Sequence, residues 1–184
     1  DGELRNLTHH NRRMNETRKA VFGVSEQLDI RRYAEGCPVH GIHKCRVVYD
    51  REICEVAFSP YIMRPVHSLR LAVDYHYKST DRKELEALYS LRGNQDDVLI
   101  VRNHLLTDTS IANVALEKEG VWYTPATPLL KGTKRAWLLE QGLLAECDIP
   151  ADDIYSYSRI ALFNAMIDFG SLFLDINRDT VIHI

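Results

Sequence analysis

The spacing of apolar positions changes from a helical period to a strand period about forty residues into the chain. Over residues 9–22 apolar side chains recur at near-helical spacing, and Gly23 follows as a stop signal. A second helix is expected over residues 25–34, with Ser25 as its N-cap. The period then becomes two, so residues 44–49 and 53–58 predict a β-hairpin with a short connection.

The second half of the chain mixes both periods. A strand is expected over residues 66–75, a helix over 81–91 and a buried strand over 97–101. Further along we expect strands at 111–116 and 121–124, a helix at 133–144, and two late apolar segments at 160–167 and 171–176. These elements predict an α+β fold with mostly antiparallel strands. The predicted organisation is a small N-terminal α+β domain over residues 1–75 and a larger domain over residues 76–184.

Composition narrows the classes of function that remain. The chain has 184 residues, 45% of them hydrophobic, and a net charge of −3, so charge gives no reason to propose nucleic acid or an anionic membrane as a partner. No apolar run approaches the ~20 residues that span a bilayer, and the N-terminus has no signal-peptide core. The four cysteines lack tight pairing, which is typical of free thiols in a reducing compartment. We therefore expect a cytoplasmic protein.

One short segment contains residues of the types that bind metals. Cys37, His40, His43 and Cys45 fall within nine residues, and zinc accepts such ligands. Structural zinc sites usually draw ligand pairs from two separate elements, whereas all four residues here lie in one loop that runs into a strand. The sequence therefore predicts no metal site.

Polar residues at the ends of predicted elements are the candidates for chemistry. Lys78 follows the strand over residues 66–75 and precedes a helix, so it is either a solvated corner residue or a lysine held for catalysis. Asp108, with Asn113 five residues later, follows the apolar strand at 97–101; taken alone, Asp108 is better explained as a turn residue that closes a hairpin.

Two further segments could contact a ligand. Gly132, Thr133 and Lys134 open the helix predicted at 133–144, and the N–H groups of a helix N-terminus can hold a phosphate. Asn164 and Ala165 interrupt an apolar run, as a close approach of the main chain to a ligand requires; an interior amide bonded to main chain explains Asn164 equally well. A lysine, an acid and a phosphate-binding helix start are the groups that pyridoxal phosphate needs.

The order of these motifs resembles that of the fold-type IV pyridoxal phosphate enzymes. His-x-x-Arg-Met at residues 10–14, Lys-x-x-x-Arg at 78–82, the Asp108–Asn113 pair, "WYTP…PLLKGTKR" and "NAM" at 164–166 occur in that family's order. The family comprises the class IV aminotransferases and 4-amino-4-deoxychorismate lyase. The resemblance implies a two-domain fold-type IV enzyme that uses pyridoxal 5′-phosphate.

The resemblance also implies a role for each position. Lys78 is similar to the lysine that binds the cofactor covalently and carries the proton, and Asp108 falls where the family has a glutamate facing the pyridine nitrogen. Arg13 is similar to an arginine that binds the phosphate. The remaining implied cofactor contacts are Asn113, Gly132, Thr133, Lys134, Asn164 and Ala165, and Arg82 is an implied substrate contact.

Two departures from the family pattern bear on the contact with the pyridine nitrogen and on the substrate pocket. Asp108 is one methylene shorter than the family's glutamate, and the chain begins in what resembles the middle of the first hairpin, so a first strand is expected to be missing. "NAM" and Lys-x-x-x-Arg favour a lyase that eliminates pyruvate to give 4-aminobenzoate. An aminotransferase for branched-chain or D-amino acids and a non-catalytic binding module stay open. The resemblance further implies a small amino compound as substrate and a homodimer.

Overall fold

The computed structural model describes residues 2–73 and 82–183, except for the side chains of residues 73 and 82–85. These residues form two compact units, Asp1–Met63 and Arg64–Ile184. The predicted domain boundary after residue 75 lies outside the described residues and stays a prediction. Among the described residues, no helix is both long enough and apolar enough to cross a membrane.

The first unit contains a helix and a hairpin. Helix α1 spans Leu7–Phe22 and ends at Gly23, whose φ of 69° is the left-handed conformation that glycine adopts without strain. Strands β1 (His43–Tyr49) and β2 (Ile53–Pro60) pair antiparallel, as the alternating pattern predicts.

The prediction of a helix over residues 25–34 is wrong. Only a short 3₁₀ helix, Ile30–Tyr33, forms, and its N-cap is Asp29, whose carboxyl accepts a hydrogen bond from the Arg31 N–H. The physical reason lies in Asn15 of α1, whose side chain binds both the N–H and the C=O of Leu28, at 3.0 and 2.8 Å. Those main-chain groups are then not available for an α-helix.

The second unit is built around a mixed sheet that has nine strands in the described part of the chain. Its order is β10-β9-β6-β5-β4-β3-β11, with β7 beside β6 and β8 beside β7. The strands are β3 (Leu69–Val73), β4 (Asp97–Arg102), β5 (Leu105–Thr109), β6 (Asn113–Lys118), β7 (Val121–Pro125), β8 (Ala145–Cys147), β9 (Arg159–Phe163), β10 (Phe173–Asp175) and β11 (Val181–Ile182). Helix α2 spans Arg82–Ser90 and α3 spans Thr133–Glu140. The predicted α+β class is confirmed.

Strand β3 belongs to this sheet and not to the hairpin of the first unit. It runs parallel to β4, with Leu69 opposite Asp97, and parallel to β11 on its other side. It begins at Leu69, three residues later than expected, and residues 74–75 lie outside the described residues.

Strand β5 was not predicted from the sequence. The chain reverses between β4 and β5 through Asn103 and His104, whose φ angles of 50° and 64° are those of a two-residue hairpin turn. Thr107, Asp108 and Thr109 are polar, so the strand lacks an apolar pattern, yet all three side chains are buried. The turn signal in the sequence is Asn103, since asparagine tolerates a positive φ.

Helix α3 is shorter than expected. It ends at Glu140 because Gly142, with φ 67°, turns the chain, and the N–H groups of Leu143 and Gly142 bond back to Leu138 and Leu139. The residues that follow form β8, parallel to β7.

Apolar packing fixes α3 against the sheet. Leu138 of α3 and Leu144 pack with Ala115 of β6 and Phe163 of β9, all of them buried. Burial of a leucine-sized side chain contributes about 2 kcal/mol, so this cluster holds α3 against β6 and β9.

Candidate functional site

Asp108 and Asn113 lie opposite each other where β5 turns into β6. They are register partners of the antiparallel pair, so their side chains project from the same face of the sheet. The turn between them is closed by Thr109, whose N–H donates to Ala112 C=O at 2.9 Å and whose hydroxyl accepts from the Ala112 N–H at 3.1 Å. The side chains are only 4% and 6% exposed. A carboxyl and an amide therefore share a buried position at one end of the sheet.

The Asp108 carboxyl accepts hydrogen bonds from two residues. Its Oδ1 accepts from Asn113 Nδ2 at 2.8 Å, and its Oδ2 accepts from the Leu130 N–H at 2.9 Å. Burial raises the pKa of Asp108 to about 6, although these hydrogen bonds and the positive charge of Arg135 act in the opposite direction. The carboxyl is thus ionised at neutral pH but poorly compensated, which is the state of an acid suited to a positively charged partner.

Gly132 brings the start of α3 against the same asparagine. A Cβ at residue 132 would lie 2.1 Å from Asn113 Oδ1, so only glycine fits there. Gly132 is the N-cap of α3, and the neighbouring Thr133 is buried. The N-terminus of α3 is the positive end of the helix dipole, which favours an anion such as a phosphate.

Lys134 and Arg135 hold the first turn of α3 in different ways. Lys134 Nζ pairs with Asp168 Oδ1 at 2.5 Å and lies over the Trp137 ring. Arg135 is buried, and its Nη2 donates to Pro125 C=O at 2.7 Å and to Glu146 Oε1 at 2.6 Å. Arg135 was not predicted from the sequence, where its only signal is a basic residue beside the Gly132–Thr133 helix start.

Asn164 forms a third part of the site after β9. Its Oδ1 accepts from the N–H groups of Met166 and Ile167 at 2.7 and 2.9 Å, and its Nδ2 donates to Ile111 C=O at 2.9 Å. Ile111 belongs to the β5–β6 turn, so Asn164 ties its own turn to the one that carries Asp108. Ala165 lies exposed within the Asn164 turn.

The structure therefore brings several predicted positions of the second unit together. Hydrogen bonds join the Asp108–Asn113 pair to Leu130 and the Asn164 turn to the β5–β6 turn, while Gly132, Thr133 and Lys134 follow directly on the loop of Leu130. Lys78 lies outside the described residues, and of Arg82 only the main chain is described, as the first residue of α2. Arg13 lies on α1 of the first unit, partly buried. The cofactor and substrate roles of these residues stay predictions.

The cysteine and histidine segment shows no metal geometry in the part of the chain that the structure describes. No three side chains of the metal-binding types gather there, and all four cysteines are free thiols. Burial raises the pKa of Cys45, which reduces its thiolate fraction.

Comparison with known proteins identifies a family. The family model described as Amino-transferase class IV matches residues 71–171. An uncharacterized protein of Haemophilus influenzae is 33% identical over 127 residues, which cover 67% of this chain and 68% of that protein. A Schizosaccharomyces pombe protein described as "Putative aminodeoxychorismate lyase" is 36% identical over 76 residues, which cover 39% of this chain and 33% of that protein.

Solved structures show the same fold. The crystal structure of a "putative 4-amino-4-deoxychorismate lyase" from Haemophilus somnus 129pt aligns with a TM-score of 0.80 and 26% identity, covering 90% of this chain and 91% of that chain. A hypothetical aminotransferase from Mycobacterium tuberculosis in its PLP-bound form aligns with a TM-score of 0.75 at 16% identity, over 99% of this chain and 78% of that chain. The resemblance seen in the motifs is confirmed by these matches.

Proposed function

The chain belongs to the class IV aminotransferase family, and from this premise we propose that it binds pyridoxal 5′-phosphate and acts on the amino group of a small molecule. The observation that carries the proposal is the buried Asp108 carboxyl beside the start of α3. An acid for the ring nitrogen and a helix N-terminus for the phosphate are the two fixed anchors that this cofactor requires.

The described residues fit the cofactor chemically. Asp108 supplies a negative charge, because its carboxyl, with a pKa of about 6, is mostly ionised at neutral pH. Gly132 keeps the main chain open at the N-terminus of α3, since its position admits no side chain. The Asn164 side chain takes the N–H groups of Met166 and Ile167, so the main chain of Ala165 is the candidate phosphate contact in this turn.

Residues of this chain would bind and orient the cofactor and move the proton. When bound, pyridoxal phosphate draws electrons away from the carbon next to the substrate nitrogen, which makes a proton on that carbon acidic. Asp108 would keep the ring nitrogen protonated by Coulomb attraction. Lys78 would supply the amine that anchors the cofactor and accepts the substrate proton, as the resemblance implies. Such a lysine must be neutral, which burial beside a cation favours.

The favoured activity is that of a 4-amino-4-deoxychorismate lyase, which releases pyruvate and forms 4-aminobenzoate. Two matched proteins carry that description, and the structural match covers 91% of the Haemophilus somnus chain. The Lys-x-x-x-Arg and "NAM" motifs support the same activity, with Arg82 as the proposed substrate contact. An aminotransferase is the alternative, because other structural neighbours are described as aminotransferases. Their identity to this chain is below 25%, so they show a shared fold and do not decide between the two activities.

Spectroscopy and two product assays test this proposal. The purified chain with pyridoxal phosphate should gain an absorbance band in the near-ultraviolet or visible, and borohydride reduction should fix the cofactor on Lys78, as seen by peptide mass. Pyruvate release from aminodeoxychorismate supports the lyase, whereas keto-acid formation from L- or D-amino acids supports the aminotransferase. A chain that takes up no cofactor, with Lys78→Ala indistinguishable from wild type, would support the non-catalytic binding module instead.

A homodimer and a cytoplasmic location complete the proposal. Both come from the resemblance and the composition. Sedimentation of the purified chain at several concentrations tests the dimer, and cell fractionation tests the location.

A further inference from the structure

The side-chain amide of Asn113 is fully committed inside the protein. Its Nδ2 donates to Asp108 Oδ1 and to Leu130 C=O, both at 2.8 Å. Both partners are acceptors, so the orientation of the amide is fixed by chemistry: the NH₂ group faces them and Oδ1 faces the other way. An NH₂ group has two hydrogens, and both are used. Asn113 therefore has no donor left for a ligand.

The oxygen of the same amide determines which residue can open α3. A Cβ on residue 132 would meet Asn113 Oδ1 at 2.1 Å. The φ of Gly132 is −66°, an angle that any residue adopts, so the backbone conformation does not require glycine here. The requirement comes from Asn113 alone.

Leu130 completes the connection. Its N–H donates to Asp108 Oδ2 at 2.9 Å while its C=O accepts from Asn113. One residue of the loop before α3 is thus bonded to the acid and to the asparagine together. The acid, the loop and the helix start form one hydrogen-bonded unit, which we call the Asn113 clamp: Asp108, Asn113, Leu130 and Gly132.

We propose that Asn113 is a positioning residue that couples the acid facing the cofactor ring to the helix start facing the cofactor phosphate. The clamp sets the distance between these two anchors, so a displacement at one anchor is transmitted to the other. Asn113 acts through Asp108 and α3 rather than by contact with the cofactor. This inference rests on the proposed pyridoxal phosphate function for its consequences, but the clamp itself is a property of the cofactor-free chain.

A double-mutant cycle on the cofactor-free full chain tests the clamp. Gly132→Ala should lower Tm by roughly 4 °C in the wild-type background, because the new Cβ displaces Asn113. In the Asn113→Ala background the same change should have less than half that effect, since the clashing oxygen is gone. Gly142→Ala is the control: its φ of 67° makes alanine costly in itself, but its Cβ would meet nothing within 4 Å, so that cost should be equal in both backgrounds. Equal effects of Gly132→Ala in both backgrounds would overturn the clamp.

Cofactor titration tests the coupling between the anchors. Pyridoxal phosphate binding, followed by absorbance between pH 5 and 8, should weaken about tenfold in Asn113→Ala, since a hydrogen bond to a charged group is lost. Binding is expected to weaken as the pH falls and Asp108 takes up a proton; we call this part of the pH profile the acid limb. The acid limb should move up by about one pH unit in Asn113→Ala, because the Asn113 hydrogen bond lowers the pKa of Asp108. Arg135, whose charge also lowers this pKa, is unchanged in every variant.

The variant at the helix start gives the decisive comparison. Gly132→Ala should move the acid limb in the same direction, although residue 132 lies at the phosphate end. Asn177→Ala, which removes an exposed turn asparagine, should leave it in place. An acid limb that does not move in Gly132→Ala would refute the coupling. If the wild-type chain takes up no cofactor, the proposed function fails, while the Tm cycle still decides the clamp.

Discussion

Asn15 in the first unit and Asn113 in the second each join a buried charged side chain to a loop by hydrogen bonds. The two charged groups differ in how fully hydrogen bonds satisfy them. Arg18 is 1% exposed. Its Nη1 donates to Asn15 Oδ1 at 2.8 Å and to Glu26 C=O at 2.6 Å, and its Nε and Nη2 donate to Arg51 C=O. The guanidinium is satisfied by carbonyl oxygens on three sides.

Asp108 is held in a similar way but remains under-compensated. An asparagine and the main chain of one loop bind its carboxyl, yet burial still raises its pKa to about 6. A buried charge that is saturated by the protein stabilises the fold, whereas one that is not saturated favours a positive ligand. Arg18 therefore stabilises the fold, and Asp108 is the acid that we propose for binding.

The largest expected effect is on stability in the first unit. Arg18→Met removes the guanidinium donors to Glu26 C=O, Arg51 C=O and Asn15 Oδ1, of which Asn15 Oδ1 keeps the Leu28 N–H as a donor. The substitution should lower the free energy of unfolding by about 3 kcal/mol, since each buried acceptor left unpaired costs about 1–3 kcal/mol. Urea unfolding measures it. Lys19→Met, an exposed neighbour on α1, is the control and should stay near wild type. A small loss in Arg18→Met would mean that the guanidinium is not a structural centre.

The second effect is on ligand binding in the second unit. Asp108→Asn keeps the size of the side chain but removes its charge, so pyridoxal phosphate should bind on the order of 10–100-fold more weakly. Equilibrium titration by absorbance measures the affinity, with the exposed Asp153→Asn as control. Unchanged affinity in Asp108→Asn would contradict the assignment of this acid to binding.

The third effect is an opposite pH dependence of the two units. Asp108 has a folded pKa of about 6, above its ordinary 3.8, so the folded chain holds a proton that the unfolded chain releases, and stability falls as pH rises from about 4 to 6. Burial, Arg13 and His9 lower the pKa of His10 from 6.5 to about 4, so its contribution rises with pH between those values.

Unfolding free energies of two variants separate these contributions. The stability of Asp108→Asn relative to wild type should increase by up to about 2 kcal/mol as the pH rises from about 4 to 7. The stability of His10→Gln relative to wild type should increase as the pH falls from about 6.5 to about 4. Urea unfolding at several pH values measures both curves. Parallel curves for the two variants would show that burial does not shift these groups in opposite directions.

The smallest effect belongs to an exposed pair. Lys134 Nζ meets Asp168 Oδ1 at 2.5 Å, but the Asp168 side chain is 56% exposed. Asp168→Ala should therefore lower the free energy of unfolding by less than about 1 kcal/mol, and less still in high salt. A loss as large as that of Arg18→Met would break the distinction between buried and exposed charges.

The sequence predicted the elements whose signals are local. The end of α1 at Gly23, the β1–β2 hairpin and the apolar strand β4 follow from glycine conformation and periodicity, and the structure confirms them. Strand β5 could not be found in the same way because Thr107, Asp108 and Thr109 are buried polar residues, and the partners of the first two come from other strands.

The same limit applies to the candidate site. Motif order pointed to Asp108, Asn113 and Gly132, but nothing in their spacing shows that Leu130 binds the first two through its main chain. The helix expected after Ser25 failed for a related reason: Asn15, distant in sequence, takes the main-chain groups of Leu28. Main-chain bonds to distant side chains leave no periodic trace in a sequence.

The state of the cofactor ring nitrogen tests the central assignment most directly. Pyridoxal phosphate labelled with ¹⁵N at the ring nitrogen would be bound to wild type and to Asp108→Asn, and its NMR shift measured at pH 8. The assignment predicts a protonated nitrogen in wild type and a neutral one in Asp108→Asn, because Asp108 supplies the charge that holds the proton. The same shift in both proteins would contradict it.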